Sequence, residues 1–214
     1  RRGGPPPVRG RPRGLLPLAL QQRTEIARAL AKRADVFLFD EPNSALTEGE
    51  SAELFDRMHA LAAQGKVILL VSHRLAELAA HCDRVVVVVD GTVRTELVRP
   101  HIDEERIARE LVVGRAGSAE TDRAGRVAPD RRLLELSGWT HRRERFADVE
   151  LSLRSGEIVA IVGVEGSGGR ELVRSVAGFE DARGTFVLEG PDCPLTHDAV
   201  AYVIGDRSES LFTN

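Results

Sequence analysis

The stretch that most constrains this chain is VFLFDEP, Val36 to Pro42. Four apolar residues closed by two adjacent carboxylates read as a buried strand that carries Asp40 and Glu41 at its tip. A second buried strand, Val67 to Ser72, delivers His73 in the same way. Between them Thr47 and Glu50 have the spacing of a capping box, and Leu54, Phe55, Met58, Leu61 and Ala62 recur at helical spacing until Gly65 ends the helix. A short helix from about Arg74 to Ala80, a strand Arg84 to Val89, a turn at Gly91 into Val93 to Leu97, and a helix capped by Asp103 follow. This alternation is that of an α/β protein with a parallel sheet and flanking helices.

Before this block, Gln21 to Ala31 places Ile26, Ala27 and Leu30 on one helical face. Residues 1–14, RRGGPPPVRGRPRG, have no periodic apolar residue and are read as a disordered or non-native leader. After it, residues 114–130 lose periodicity and read as a linker. Beyond the linker the pattern changes. Leu133 to Leu136 is a short strand, and Val149, Leu151 and Leu153 alternate with polar residues as in a half-buried antiparallel sheet. EIVAIVG then suits a central buried strand, the glycine-rich loop Gly163 to Gly169 follows it, and a helix begins near Glu171. Thr185 to Leu188 and Ala201 to Ile204 are two further strands.

Composition sets outer limits. The 214 residues, 42% of them apolar, suffice for one ordinary core or two partial ones. A net charge of −3 gives no basic field of the kind that sequence-independent nucleic-acid binding needs, so no nucleic-acid partner is expected. Cys82 and Cys193 lack disulfide-framework or zinc spacing, which fits a reducing cytoplasm. No apolar run approaches the ~18 residues of a membrane span. His59, His81, His101, His141 and His197 lack ligand spacing and read as surface residues, and Arg142 to Arg145 as a solvated loop.

Two carboxylates and a histidine at the tips of buried strands have the layout of nucleotide hydrolysis. There Asp40 would hold Mg²⁺ through its water shell, Glu41 would polarise the attacking water, and His73 would sense the γ-phosphate. The loop GVEGSGG between a strand and a helix is the backbone context of a phosphate site. Its side chains depart from GxxxxGK[ST], because position 169 is Gly and position 170 is Arg. That removes the lysine charge and the metal-ligating hydroxyl, so weak or hydrolytically silent nucleotide binding is expected at Gly163, Gly166, Ser167, Gly168, Gly169 and Arg170.

These motifs together resemble the ATP-binding cassette family, specifically the double-cassette ATPase subunits of sugar and nucleoside importers. VFLFDEP resembles Walker B with its catalytic glutamate, SALT (Ser44 to Thr47) the D-loop, His73 the switch histidine, and LPLALQQRTEIARAL the signature segment and its helix. GEIVAIVGVEGSGGREL is similar to the degenerate Walker A of the second cassette, and IGDRSESLFTN to a segment downstream of it. Trp139, the only tryptophan, lies where the family stacks an aromatic on adenine, with core packing as the equal alternative.

The resemblance implies a P-loop NTPase fold in which residues 15–113 are the C-terminal part of one cassette and residues 131–214 the N-terminal part of a second, degenerate one with an antiparallel β subdomain. On that reading Asp40, Glu41 and His73 serve one site and the 163–169 loop another, in a chain that is a fragment or a mis-read gene. It further implies ATP and Mg²⁺ as cofactors, transmembrane permease subunits, a solute-binding protein and a second cassette as partners, and a peripheral location on the cytoplasmic face of the membrane. Pro17 and Ala19 replace the signature serine and glycine, which removes donors to the partner cassette's γ-phosphate. Three other readings compete: a non-catalytic cassette remnant, a cassette protein of DNA repair or translation, and two half-cassettes folded together as one permuted domain. The short linker of mixed charge disfavours the second of these.

Overall fold

The computed structural model of the chain describes residues 24, 26–28, 31, 34–44, 46–112, 132–189 and 199–204. Expectations placed on residues 1–23, on the 114–130 linker and on the 205–214 segment lie outside the described residues, Pro17 and Ala19 among them. The first segment runs β1 (Val36–Asp40), α1 (Glu48–Ala63), β2 (Val67–Val71), α2 (Leu75–His81), β3 (Arg84–Val89), β4 (Thr92–Val98) and α3 (Glu104–Val112). The second runs β5 (Arg132–His141), β6 (Val149–Arg154), β7 (Ile158–Gly163), α4 (Gly169–Val176), β8 (Ala182–Leu188) and β9 (Val200–Ile204).

Local signals behave as chemistry dictates. Thr47 and Glu50 form the capping box reciprocally, and Asp103 accepts from the Arg106 N–H at 2.8 Å. Gly65 adopts a φ of 80° where α1 stops, a conformation that only glycine enters cheaply.

The strands form a mixed α/β architecture of two sheets. The larger has the order β4-β3-β7-β2-β1-β9, and every neighbouring pair is parallel except β3 with β4. The smaller is antiparallel, β6-β5-β8. Strands of the two segments interleave: β7 lies between β3 and β2, and β9 pairs with β1 from Val36↔Val200 to Asp40↔Ile204. Strands of both segments thus share one sheet. Apolar faces and edges that each segment alone would leave open are covered by the other.

Period-two alternation sorts the core into two layers. Phe37, Phe39, Ile68, Leu70, Val85 and Val87 face α1, α2 and α3, where Phe55, Met58, Leu78 and Ile107 meet them. Val36, Leu38, Leu69, Val86, Val88 and Ile161 face α4 and the antiparallel sheet, meeting Leu172, Val173, Leu134, Leu151 and Leu153. Full burial of each such side chain stabilises the fold by ~1.5–3 kcal/mol. Arg84 fastens the two segments from within. Its guanidinium pairs with Glu157 at 2.9 Å and with Glu96 at 3.0 Å. Burial opposes its charge, but Glu157 and then Glu96 outweigh burial and raise its pKa.

Candidate functional site

Alternation along β1 decides where its carboxylate points. Val36 and Leu38 face α4, so Asp40, two residues on, faces the same layer and is fully buried. Arg170, in the first turn of α4, donates from Nε to Asp40 Oδ2 at 2.9 Å. Tyr202 of β9 donates its hydroxyl to the same oxygen at 2.9 Å. Burial and then the neighbouring Asp40 push the Tyr202 phenol up, which keeps it protonated as a donor. Asp40 Oδ1 is buried and has no hydrogen-bond partner.

The chain leaves β1 through Glu41 at a φ of 49°, with its N–H donating to Val71 O at 2.9 Å. A left-handed backbone costs a residue with a side chain ~1–2 kcal/mol, and a residue before proline is ordinarily extended. Strain of this kind collects at sites where a side chain must be aimed. It brings the Glu41 carboxylate to His73 beyond β2, whose Nδ1 lies 3.0 Å from Oε1 and 2.9 Å from Oε2. His73 is 72% exposed, so the pair adds only ~0–1 kcal/mol to stability and its worth is positional. The turn after Glu41 is anchored by Glu77 of α2, which accepts from Asn43 Nδ2, from Ser51 Oγ at 3.0 Å and from Arg74 Nη1 at 2.6 Å.

β7 ends at Gly163 and the loop turns into α4. A Cβ on Gly163 would meet Ser167 Oγ and, at 2.6 Å, Val88 O. Gly168 caps α4 at a φ of 89°, and a Cβ there would run into Arg145 O. The loop is braced where Gly91 donates to Ser167 O at 2.9 Å. Backbone shape is therefore that of a phosphate cradle opening on a helix N-terminus, while Gly169 and Arg170 withhold the lysine and the hydroxyl.

The fold brings together groups expected to serve different sites. Asp40, Glu41, His73 and the 163–169 loop all lie at the carboxyl ends of β1, β2 and β7, where Asp40, Val71 and Ile161 stand in register. Mg²⁺ does not fit beside Arg170. Asp40 Oδ2 already accepts two donors, one of them cationic, and the side chain at position 170 offers no oxygen. Among the described residues no group of three or more His, Cys, Asp or Glu could hold a metal ion.

Of the two alternatives open at Trp139, core packing is the one seen: the side chain is 8% exposed, donates from Nε1 to Ser175 Oγ at 2.9 Å and packs on Phe186. One surface reading is corrected. His141 is buried, not superficial: its ring packs at a tilt against Phe146 and lies 3.4 Å from Glu180 Oε2. Cys82 is buried too, and burial pushes its thiol up to about 12, which leaves it inert. Tyr202 and Glu77 escaped sequence reasoning. A single tyrosine within the apolar run AYVI was the available signal for the first, and Glu77 gave none.

No protein-family model matches the chain. It is 35% identical over 94% of its length to "Ribose import ATP-binding protein RbsA 2" of Agrobacterium fabrum, covering 41% of that protein. It is 38% identical over 91% to "Ribose import ATP-binding protein RbsA 3" of Rubrobacter xylanophilus and 33% identical over 87% to "Nucleoside import ATP-binding protein NupA" of Lactococcus lactis, covering 39% of each. The chain thus spans about two fifths of the length of the curated relatives it matches. Over most of its length the chain is therefore similar to the ATP-binding proteins of ribose and nucleoside import.

Proposed function

We propose that the chain is a nucleotide-binding segment of an ATP-driven importer for sugars or nucleosides. It would work at the cytoplasmic face of the membrane beside permease subunits, a solute-binding protein and a second cassette. One observation carries this reading: β1, β2 and β7 bring the Asp40–Glu41 pair, His73 and the glycine loop to one edge of one parallel sheet, the edge where open α/β sheets bind ligands. No helix among the described residues is long and apolar enough to cross a membrane.

In hydrolysis Glu41 accepts the proton of a water whose oxygen bonds to the γ-phosphorus, as the bond from that phosphorus to the bridging oxygen of ADP breaks. His73 holds Glu41 in position for that transfer. Asp40 would hold Mg²⁺, which would neutralise phosphate charge, only where a hydroxyl residue stood in place of Arg170.

A second reading has its own observation. Because Arg170 engages Asp40, and Gly169 stands at the lysine position, the site formed within this chain binds nucleotide without turning it over. ATP binding by the purified chain, followed by calorimetry, tests both readings against turnover in wild type and Glu41→Gln. Turnover abolished in Glu41→Gln supports the hydrolytic reading, and binding with no turnover in either protein supports the second. Absence of ATP and ADP binding would sink both.

A further inference from the structure

We propose that Arg170 is a tethered cation standing in place of a divalent metal ion, so that the site between Asp40 and the 163–169 loop accepts nucleotide di- or triphosphates without Mg²⁺. The proposal deepens the nucleotide-binding reading and rests on it for its ligand. Its claim about the metal stands on the protein alone.

The geometry is specific. A metal-dependent phosphate site places a hydroxyl at the position after the lysine, facing the carboxylate that holds the ion's water shell. Here that position is Arg170, and its Nε is bonded to the fully buried Asp40 at 2.9 Å. A guanidinium is charged at every accessible pH, so the neutralisation it gives Asp40 is permanent. A second cation at the same carboxylate would be repelled at short range in a poorly solvated place. Mg²⁺ also needs near-octahedral oxygen ligation, and Tyr202 has already taken the remaining approach to Oδ2.

The rest of the site suits an anion that arrives without its metal. The Arg170 side chain is 39% exposed, so it reaches from the buried carboxylate toward solvent. Gly168 at the head of α4 provides no side-chain cap for the first N–H groups of the helix. Gly166, at a φ of 80°, has nothing within 4 Å of where a side chain would begin, so a phosphate can come close to the backbone. The buried, unpartnered Asp40 Oδ1 is the complementary observation. It marks a carboxylate built for more donors than this chain gives it, which exchanging Arg170 for a hydroxyl residue would reopen to a metal ion.

The test uses the 214-residue chain and two independent arms. In the first, Mn²⁺ alone is titrated by electron paramagnetic resonance into wild type, Arg170→Lys, Arg170→Ser and Arg170→Ser/Asp40→Asn. Wild type and Arg170→Lys are expected to hold no stoichiometric ion, Arg170→Ser to gain one site, and the double variant to lose it again. An Asp40-dependent Mn²⁺ site in wild type, or no gain in a folded Arg170→Ser, overturns the proposal. If Arg170→Ser does not fold by circular dichroism, wild type against Asp40→Asn decides alone, and equal Mn²⁺ binding is the supporting result. In the second arm ATP affinity is measured in Mg²⁺ and in EDTA. The affinities are expected to agree within about twofold, whereas affinity about tenfold or more tighter with Mg²⁺ overturns the proposal. Failure to bind ATP in either buffer counts against the nucleotide reading, and the Mn²⁺ arm then decides the claim about Arg170.

Discussion

At the end of β1 the chain keeps reactive side chains and strains the backbone to aim them, whereas at the end of β7 it keeps the backbone bends and changes the side chains. Asp40 is fully buried and Glu41 sits at a φ of 49°, aimed at His73. Gly163 and Gly168 stand where a Cβ would collide with the neighbouring Val88 and Arg145 carbonyls, yet the next two positions hold Gly169 and Arg170. The difference separates two causes that are easily confused. Loop shape is enforced by packing against β3 and the β5–β6 connection, so it persists whatever the loop binds. The lysine and hydroxyl of GxxxxGK[ST] are side chains that this packing does not require.

The comparison has force only if both strand ends belong to one cooperative unit, and the largest expected effect tests that. Leu70 is fully buried in β2, on the face that meets α1, α2 and α3. Leu70→Ala is expected to cost ~2–5 kcal/mol. Trp139 lies in the other segment and on the other face of the sheet, so it reports from a distance. In urea its fluorescence transition and the circular dichroism transition should shift together in Leu70→Ala. A tryptophan transition left at its wild-type midpoint would mean that the segments unfold separately.

The next effect bears on the loop alone. Gly166 and Gly168 both have φ near 80–90°, but only Gly168 has a backbone carbonyl against it. Gly166→Ala is expected to cost ~1–2 kcal/mol for its left-handed backbone. Gly168→Ala should cost ~1–3 kcal/mol more as the Arg145 carbonyl is displaced. Thermal unfolding of the two variants side by side measures the difference, and equal losses would show that the loop is not wedged against the β5–β6 connection.

Much of this was legible in the sequence because its causes are local. β1, β2, β3 and β7 announce themselves as unbroken apolar runs, and the α1 cap needs only Thr47 and Glu50. What was hidden depends on pairing across long separations. Nothing in Ile158 to Gly163 says that it inserts between β3 and β2, since strands buried on both faces read alike in any position. Tyr202 reaches Asp40 only because β9 takes the outer edge beside β1. β5 ran past Leu136 to His141 because its register shifts near Gly138, at a φ of 58°, where propensity alone suggests an end. Trp139 was ambiguous until Ser175 appeared as the partner of its indole N–H.

The smallest effect asks whether a charge placed in the first segment is felt in the second. His81, on α2, stacks on Phe55 with ring centroids 4.1 Å apart, and its Nδ1 lies 3.2 Å from His59 Nε2. Burial first, and then His59 and Arg99, lower its pKa from 6.5, while Glu77 and Asp56 act in the opposite direction. A histidine whose folded pKa lies below its unfolded one binds fewer protons in the native state, so stability falls as pH drops below about 6.5 and is lost through the folded pKa. His81→Gln is expected to flatten that acid-side slope without changing stability at pH 8. In a single cooperative unit the flattening must appear in the Trp139 fluorescence transition, although His81 stacks on Phe55 of one core layer and Trp139 lies in the other layer and the other segment. A slope that disappears from circular dichroism but persists at Trp139 would divide the molecule between its two segments, leaving the Asp40–Arg170 contact as a docking of two units and not the interior of one.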